Sequence, residues 1–125
     1  MLTKKRPLRQ SFQDAFSGIC YALRTQRNMR IHAGMTLLVL GLSAVLAVPV
    51  LEMLFLLSAV VFVVVTEMIN TGIETTVDLT TSEYHDKARN AKNVAAGAVL
   101  TASLYALVVG YLILGRRLFA WFSGG

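Results

Sequence analysis

The sequence is poor in the residues and motifs from which most metal and nucleotide sites are built. It contains a single cysteine, Cys20, which excludes both an internal disulfide and a multi-cysteine zinc site. The two histidines, His32 and His85, lie far apart in the chain, so we do not expect a histidine metal site. Neither GxxxxGKS/T nor GxGxxG occurs, and any nucleotide site must therefore differ from the P-loop and dinucleotide-binding types.

Charged residues are also scarce, at 15% of the chain against 55% hydrophobic residues, and the mean hydropathy is +0.60. A soluble domain of 125 residues cannot bury that much apolar surface, which indicates an integral membrane protein. At this length we expect one domain, residues 1–125. The basic residues behind the net charge of +5 lie beside apolar segments, so anionic lipid is the expected partner and nucleic acid is not.

Three segments are apolar enough for membrane helices, which we expect over 33–51, 53–78 and 91–115. Uncharged runs of 19 residues at 33–51 and 22 residues at 94–115 are long enough to cross a hydrocarbon core of about 30 Å. The middle run, 53–66, has only 14 uncharged residues, or about 21 Å of helix. A helix over 53–78 must therefore carry acidic residues at or below the membrane surface.

The segment before the first membrane helix, residues 8–27, has a different pattern. Phe12, Phe16, Ile19 and Leu23 recur at helical spacing, while polar residues take the other sides. This pattern is typical of an amphipathic helix that lies in the membrane interface with its apolar face towards the lipid. The alternative is a soluble amphipathic helix packed on another surface. The predicted fold is thus an all-α membrane protein with one surface helix and three transmembrane helices.

Lysine and arginine are distributed unevenly about these segments. Ten precede the first membrane helix or lie between the second and third, whereas Arg116 and Arg117 lie on the other side. Because basic residues collect on the cytoplasmic side, we expect a cytoplasmic N-terminus in the inner (plasma) membrane of a bacterium. The ten residues are Lys4, Lys5, Arg6, Arg9, Arg24, Arg27, Arg30, Lys87, Arg89 and Lys92.

Four polar residues of the second membrane helix share one face, and we call Glu67, Asn70, Glu74 and Asp78 the acidic stripe. At about 100° per residue they fall within a sector about 80° wide. Carboxylates this close repel one another and lose hydration near lipid, so a counter-charge is expected. Lysine, arginine or Mg²⁺ can supply it, and Mg²⁺ is usually bound by few carboxylates and shared with substrate phosphates. The alternative is an ion-paired helix end without chemistry.

Positive charge follows at the start of the third membrane helix, where Lys92 precedes Asn93. A lysine in this position is either a topology anchor or, opposite the acidic stripe, a phosphate ligand. Glu83, Tyr84 and His85 form a polar loop that either holds a ligand or is simply solvated.

Three motifs together resemble the small prokaryotic diacylglycerol kinase and undecaprenol kinase family. They are E-x-x-N-T-x-I-E-x-x-x-D at 67–78, S-E-Y-H at 82–85 and A-K-N-x-A-A-G-A-V-L at 91–100. The resemblance covers almost the whole chain. The segment T-Q-R-N-M-R-I-H at 25–32 is similar to the Gram-positive and cyanobacterial branch, and the first of these is associated with undecaprenol kinases.

The resemblance implies ATP- and Mg²⁺-dependent phosphorylation of a membrane lipid alcohol, with undecaprenol favoured over diacylglycerol, by a homotrimer. By position, Glu67 matches the proposed general base and Asn70 another polar residue of the same site. Glu74 matches a ligand of the divalent cation that bridges the ATP phosphates. The positions that match the remainder of the site, mostly nucleotide-contacting residues, are Asp78, Glu83, Tyr84, His85 and Lys92.

Two positions depart from the family pattern. Gln26 stands where many members have a second metal-binding glutamate, and Asn93 stands where aspartate usually follows the lysine. Both residues preserve shape and remove a negative charge, although Gln26 retains an amide oxygen able to coordinate a cation. Natural branch variation, a weakened enzyme and an engineered substitution that traps a substrate complex all remain open.

Two other classes of function are open from the sequence. A small transporter or channel subunit would need polar residues along a full span, yet 33–51 and 94–115 are almost entirely apolar. A non-catalytic assembly protein of the same fold is compatible with the residues at positions 26 and 93. ATP turnover in the presence of a lipid alcohol separates both from a kinase.

Overall fold

The structure is a computed structural model that describes residues 5–124, so Lys4 of the basic set lies outside the described residues. Within this range the chain contains helices and no strand, as predicted. Three of the helices are long and apolar enough to cross a membrane. The helices are α1 (Leu8–Thr25), α2 (Arg27–Val45), α3 (Val50–Thr80) and α4 (Asp86–Phe122).

Helix α1 is amphipathic, and its apolar face is not covered by other described residues. Leu8, Phe12 and Phe16 are each more than two-thirds exposed, whereas Ala22 near the other end is buried. An exposed row of large apolar side chains beside membrane helices fits a helix that lies on the lipid surface.

The junction between α1 and α2 is a single extended residue, Gln26, with φ −109° and ψ 116°. The Arg30 guanidinium donates from Nη1 to the carbonyl oxygens of Leu23 (3.2 Å) and Arg24 (2.9 Å). These bonds satisfy carbonyls that the end of α1 would otherwise leave without a partner. Arg30 therefore holds the C-terminus of α1 against the first turn of α2.

The predicted bounds 8–27 and 33–51 differ from the observed helices at this junction and at the outer turn. Helix α2 begins at Arg27 because charged residues outside the hydrocarbon core remain compatible with helix. It ends at Val45, since Ala47 has a positive φ of 50° and Pro49 cannot donate a backbone hydrogen bond. The apolar residues 46–49 form the turn before α3. The predicted end of the first membrane helix at residue 51 was therefore wrong.

Helix α3 is the longest single α-helical segment, with 31 residues and a length of about 46 Å at 1.5 Å per residue. It begins and ends slightly outside the predicted 53–78. Because the hydrocarbon core is about 30 Å thick, part of α3 must project into the interface or the water. The acidic stripe lies in its C-terminal half, which accounts for carboxylates on an otherwise apolar helix.

Helix α4 also extends beyond its predicted range of 91–115. Its first turn is capped by the His85 ring, whose Nδ1 accepts a hydrogen bond from the Lys87 backbone N–H at 3.2 Å. The segment Tyr111–Gly115 is a π-helical turn between the α-helical parts Asp86–Gly110 and Arg116–Phe122. A Cβ on Gly115 would lie 3.1 Å from the Tyr111 ring, so the absence of a side chain there lets the ring pack on the widened turn.

The buried apolar core lies at the end of the bundle away from the acidic stripe. It is formed by Leu56 and Ala59 of α3 with Val109 and Leu114 of α4, and residues of α2 pack against it. Helix α3 packs mainly on α4, and less extensively on α2. Val63 of α3 and Ala95 and Ala102 of α4 are also buried, so apolar packing continues along the α3–α4 hairpin towards its polar end.

Candidate functional site

The acidic stripe runs from the protein interior to the surface. Glu67 and Asn70 are buried, Glu74 is half-buried and Asp78 is exposed. The helical spacing of three and four residues places all four on one side of α3. The stripe therefore connects a dry position inside the helix bundle to the solvent-exposed end of the α3–α4 hairpin.

Glu67 is the most deeply placed member of the stripe, and only 3% of its side chain is exposed. Its Oε2 atom is buried and has no hydrogen-bond partner among the described residues. The basic group that pairs with it is His32 of α2, whose Nε2 lies 3.8 Å from Oε2. Since a buried carboxylate without a partner is costly, this atom marks a position where a ligand or a side-chain movement completes the contact.

Asn70, one turn along α3, has a second unpartnered atom. Its Nδ2 donates to Glu74 Oε1 at 3.4 Å, while its buried Oδ1 has no partner within the described part of the chain. The amide thus joins the buried and half-buried parts of the stripe and leaves one oxygen unused. Carboxylate and amide oxygens are the donors preferred by hard divalent cations.

The expected counter-charge is present on α4. Lys92 Nζ donates to Asp78 Oδ1 at 2.5 Å, which links the outer end of the stripe to the start of α4. Both side chains are more than a third exposed, so the ion pair contributes little to stability. A weak exposed pair leaves the lysine available to other anions.

The polar loop between α3 and α4 is organised by local contacts. The Tyr84 hydroxyl donates to Asp86 at 3.0 Å, and the Arg89 guanidinium lies 5.7 Å from the centroid of the Tyr84 ring. Glu83 donates its backbone N–H to the Thr81 hydroxyl at 3.2 Å. Glu83, Tyr84, His85 and Asn93 are all exposed at this end of the hairpin. These predicted nucleotide residues share one end of the molecule with Asp78 and Lys92.

The structure does not unite all the predicted cation ligands. Gln26 is half-buried at the break between α1 and α2, and its described side-chain hydrogen bond is to Thr25 Oγ1 at 3.5 Å. No group of three or more His, Cys, Asp or Glu side chains is arranged as metal ligands among residues 5–124. The oxygens of Glu74 and Asn70 nevertheless fit Mg²⁺ shared with substrate phosphates, because such sites use only one or two carboxylates.

Two grooves border the stripe-bearing half of α3. One, of about 630 Å³, lies between α3 and α4 and is lined by residues such as Ile69, Ile73 and Val94. The other, of about 360 Å³, lies between α1 and α3 and includes Tyr21 and Thr75. Both grooves have mainly apolar walls, as expected of surfaces that accept lipid chains or neighbouring helices.

One neighbour of the site was missed by sequence reasoning. His32 lies 35 positions before Glu67 in the sequence, and on sequence grounds it is notable only as a possible metal ligand. No spacing rule connects the two, since their approach depends on how α2 packs against α3. The segment 25–32 resembles one branch of the family, but that resemblance does not indicate a contact with Glu67.

Comparisons with known proteins agree with the motifs described above. The family profile described as prokaryotic diacylglycerol kinase matches residues 13–114. A diacylglycerol kinase of Synechocystis sp. is 37% identical in an alignment 122 positions long, which covers 88% of this chain and 70% of the relative. An undecaprenol kinase of Bacillus subtilis is 38% identical over 106 residues, with coverage of 83% and 85%.

A diacylglycerol kinase of Escherichia coli is more distant, at 29% identity over 100 residues that cover 80% of this chain and 82% of the relative. The family profile and the two relatives above 30% identity each span most of the chain, including the acidic stripe and Lys92. The chain therefore belongs to the prokaryotic diacylglycerol kinase family.

Proposed function

We propose that this membrane lipid kinase phosphorylates undecaprenol to undecaprenyl phosphate, with ATP as the phosphate donor and Mg²⁺ as the cofactor. The observation that carries the proposal is the buried carboxylate of Glu67. One of its oxygens has no hydrogen-bond partner among residues 5–124, and Glu67 heads a stripe that leads to the half-buried Lys92. A relative from Bacillus subtilis with 38% identity is named undecaprenol kinase. Residues 25–32 are similar to the Gram-positive and cyanobacterial branch, and the Gram-positive members are associated with the same substrate.

Glu67 is proposed as the general base. As the hydroxyl oxygen of the lipid attacks the γ-phosphorus of ATP, its proton passes to the Glu67 carboxylate and ADP leaves. Phosphoryl transfer depends mainly on positioning and on neutralising charge, so the protein needs no covalent nucleophile. Asn70, one turn from Glu67 on α3, donates to Glu74 and so orients the cation-binding carboxylate.

Glu74 and Asn70 are proposed to hold Mg²⁺, with Gln26 as a further oxygen donor. When bound, the cation would neutralise charge on the transferred phosphoryl group. Because Gln26 is neutral, Glu74 is the principal anionic ligand. This arrangement predicts that Mg²⁺ binding depends strongly on the bound nucleotide.

The exposed end of the hairpin is proposed to bind ATP. Lys92 would contact the phosphates after exchanging Asp78 for the more highly charged ligand, since their ion pair is solvent-screened. Glu83, Tyr84, His85 and Asn93 would contact the rest of the nucleotide. Glu67 at the buried end and Lys92 at the exposed end are thus suited to a lipid hydroxyl and a water-soluble donor, respectively.

Diacylglycerol is a second candidate substrate. It is supported by the relative from Synechocystis sp., which is named diacylglycerol kinase and is 37% identical. Both lipids present a primary hydroxyl, and the groove between α1 and α3 has no charged lining residue that would distinguish them.

The assembly and orientation complete the proposal. We propose a homotrimer of single-domain chains, residues 1–125, in a bacterial inner membrane with the N-terminus in the cytoplasm. In the most apolar 18-residue stretch of each span, only 11%, 22% and 11% of the residues are buried. Lipid and neighbouring chains must therefore cover the remainder. The unequal distribution of Lys and Arg supports the orientation.

A substrate panel tests the proposal. Purified protein in mixed micelles is given ATP, Mg²⁺ and either undecaprenol or dioleoylglycerol, and the phosphorylated lipid is quantified. We expect a higher kcat/KM for undecaprenol and loss of transfer in Glu67→Gln. A preference for dioleoylglycerol would overturn the first candidate in favour of the second, and transfer to neither lipid would overturn both.

A further inference from the structure

His32 is the one basic side chain within 4 Å of the Glu67 carboxylate in the part of the chain that the structure describes. Its Nε2 is 3.8 Å from Glu67 Oε2. The His32 side chain is 22% exposed and the Glu67 side chain 3% exposed. The histidine therefore lies beside a buried carboxylate at a place where bulk water cannot easily replace it.

The two groups are unpartnered in a complementary way. Glu67 Oε2 is a buried acceptor without a hydrogen bond, and no hydrogen bond is made by the His32 ring among the described residues. The distance of 3.8 Å between His32 Nε2 and Glu67 Oε2 is about 0.6 Å longer than the upper limit of the usual 2.7–3.2 Å range for N–H···O hydrogen bonds. Catalytic hydrogen bonds are often long in free enzymes and tighten when substrates bind.

The position of His32 is set by the packing of α2. Met29 and Ser43 are the buried residues of α2, and at about 100° per residue His32 lies on the same side of the helix. The Thr36 hydroxyl donates to the His32 carbonyl at 2.7 Å, one turn along this face. The ring is thus carried towards α3 by a packed helix, not by a loop.

We propose that His32 is a positioning residue for the reaction, a proposal that rests on the proposed role of Glu67 as the base. In the substrate-bound enzyme His32 donates its Nε2 hydrogen to Glu67 Oε2. This bond orients the carboxylate so that Oε1 faces the lipid hydroxyl. During transfer the hydroxyl proton passes to Oε1, and His32 keeps its own proton.

Two amide substitutions provide a matched test. Glutamine at position 32 places an N–H donor near the position of histidine Nε2, whereas asparagine is one methylene shorter and does not reach Glu67. We expect His32→Asn to lower kcat by about 10- to 100-fold, the scale of a misplaced catalytic group, and to leave KM for ATP within about twofold. We expect His32→Gln to retain most of the activity. Met35→Leu, at an exposed position on another side of α2, is the control and should behave as the unaltered protein.

A double-mutant comparison separates positioning from a general structural role. If His32 acts through Glu67, His32→Asn should cause no further loss of kcat in protein that already carries Glu67→Gln. Thermal denaturation in detergent checks that all variants are folded.

Three results would overturn the proposal: unaltered kcat in His32→Asn, equal impairment of His32→Gln and His32→Asn, or independent losses in the double variant. A different result overturns the proposed role of Glu67 itself, and this inference with it. That result is full kcat in Glu67→Gln while the unaltered protein phosphorylates undecaprenol or dioleoylglycerol.

Discussion

At the scale of single residues, Glu67 is a carboxylic acid whose burial has a high free-energy cost. Its carboxylate is buried beside apolar helices, where an unpaired charge costs several kcal/mol even after relaxation. Polar groups in such positions are retained for function more often than for stability. Glu74 and Asp78, on the same face, are progressively more exposed and have progressively easier access to cations.

The different positions of Glu67 and Glu74 predict different responses to Mg²⁺. Glu74→Gln removes a ligand charge, so we expect a large increase in the Mg²⁺ concentration that gives half-maximal activity. Glu67→Gln removes the proton acceptor, so kcat should fall by about 100-fold or more with little change in Mg²⁺ requirement. Titration of both variants with Mg²⁺ at saturating ATP makes the comparison. Equal Mg²⁺ dependence would contradict the division of roles.

Gln26 permits the converse experiment, in which a charge is added. If its side chain faces the cation, Gln26→Glu should strengthen Mg²⁺ and ATP binding by about 1–3 kcal/mol, the scale of a contact with a charged group. Equilibrium binding of ATP at several Mg²⁺ concentrations measures the change, with Gln10→Glu on the exposed part of α1 as a control. Weaker binding or lower activity would instead indicate a site adapted to a neutral residue.

At the scale of helices, the two ends of the α3–α4 hairpin are closed by different ion pairs. Asp78 pairs with Lys92 at the stripe end, and Glu52 pairs with Arg117 at the other end. Glu52 at the start of α3 also lies where a negative charge interacts favourably with the helix dipole. The second pair links the start of α3 to the end of α4 beside the apolar core.

The Glu52–Arg117 pair predicts that removing one charge lowers stability and that exchanging the two charges restores part of it. Because both side chains are about one-third exposed or more, Glu52→Gln should lower the free energy of unfolding by no more than about 1 kcal/mol. The exchange Glu52→Arg with Arg117→Glu should recover part of that loss. Thermal unfolding in detergent measures both, and Arg116→Gln is the neighbouring control. A double variant less stable than either single exchange would argue against the pair.

At the scale of the whole molecule, three spans and one surface helix bring a lipid face and an aqueous face to the same site. The apolar face of α1 is exposed, and the grooves on both sides of α3 have mainly apolar walls. The stripe ends at an exposed polar loop. This arrangement suits a kinase whose acceptor remains in the membrane while its donor arrives from the water.

An odd number of spans predicts that the two ends of the chain lie on opposite sides of the membrane. A reporter that is active only in the cytoplasm should be active when fused to the N-terminus and inactive when fused to the C-terminus. A reporter active only outside the cytoplasm should give the reverse pattern and serves as the control. Activity of one reporter at both ends would contradict the three-span arrangement.

The class of the protein and the grouping of several candidate site residues follow from the amino-acid sequence alone. Long apolar runs have one physical solution in a chain this short, which is helices in a membrane. Helical periodicity alone placed Glu67, Asn70, Glu74 and Asp78 on one face, because residues on one helix need no tertiary information. Lys92 is the predicted positive partner and pairs with Asp78. The pair was predictable because a short loop connects the end of α3 to the start of α4, which brings the two residues together.

The helix ends and the contacts between distant segments could be read only from the folded chain. Runs of uncharged residues mark the part of a helix that lipid can cover, not the part that is helical, so α2 and α4 begin before their apolar runs. The approach of His32 to Glu67 and the pair of Glu52 with Arg117 join residues from different helices. Such contacts depend on how whole helices pack, and that packing is the sum of many small interactions that no local spacing encodes.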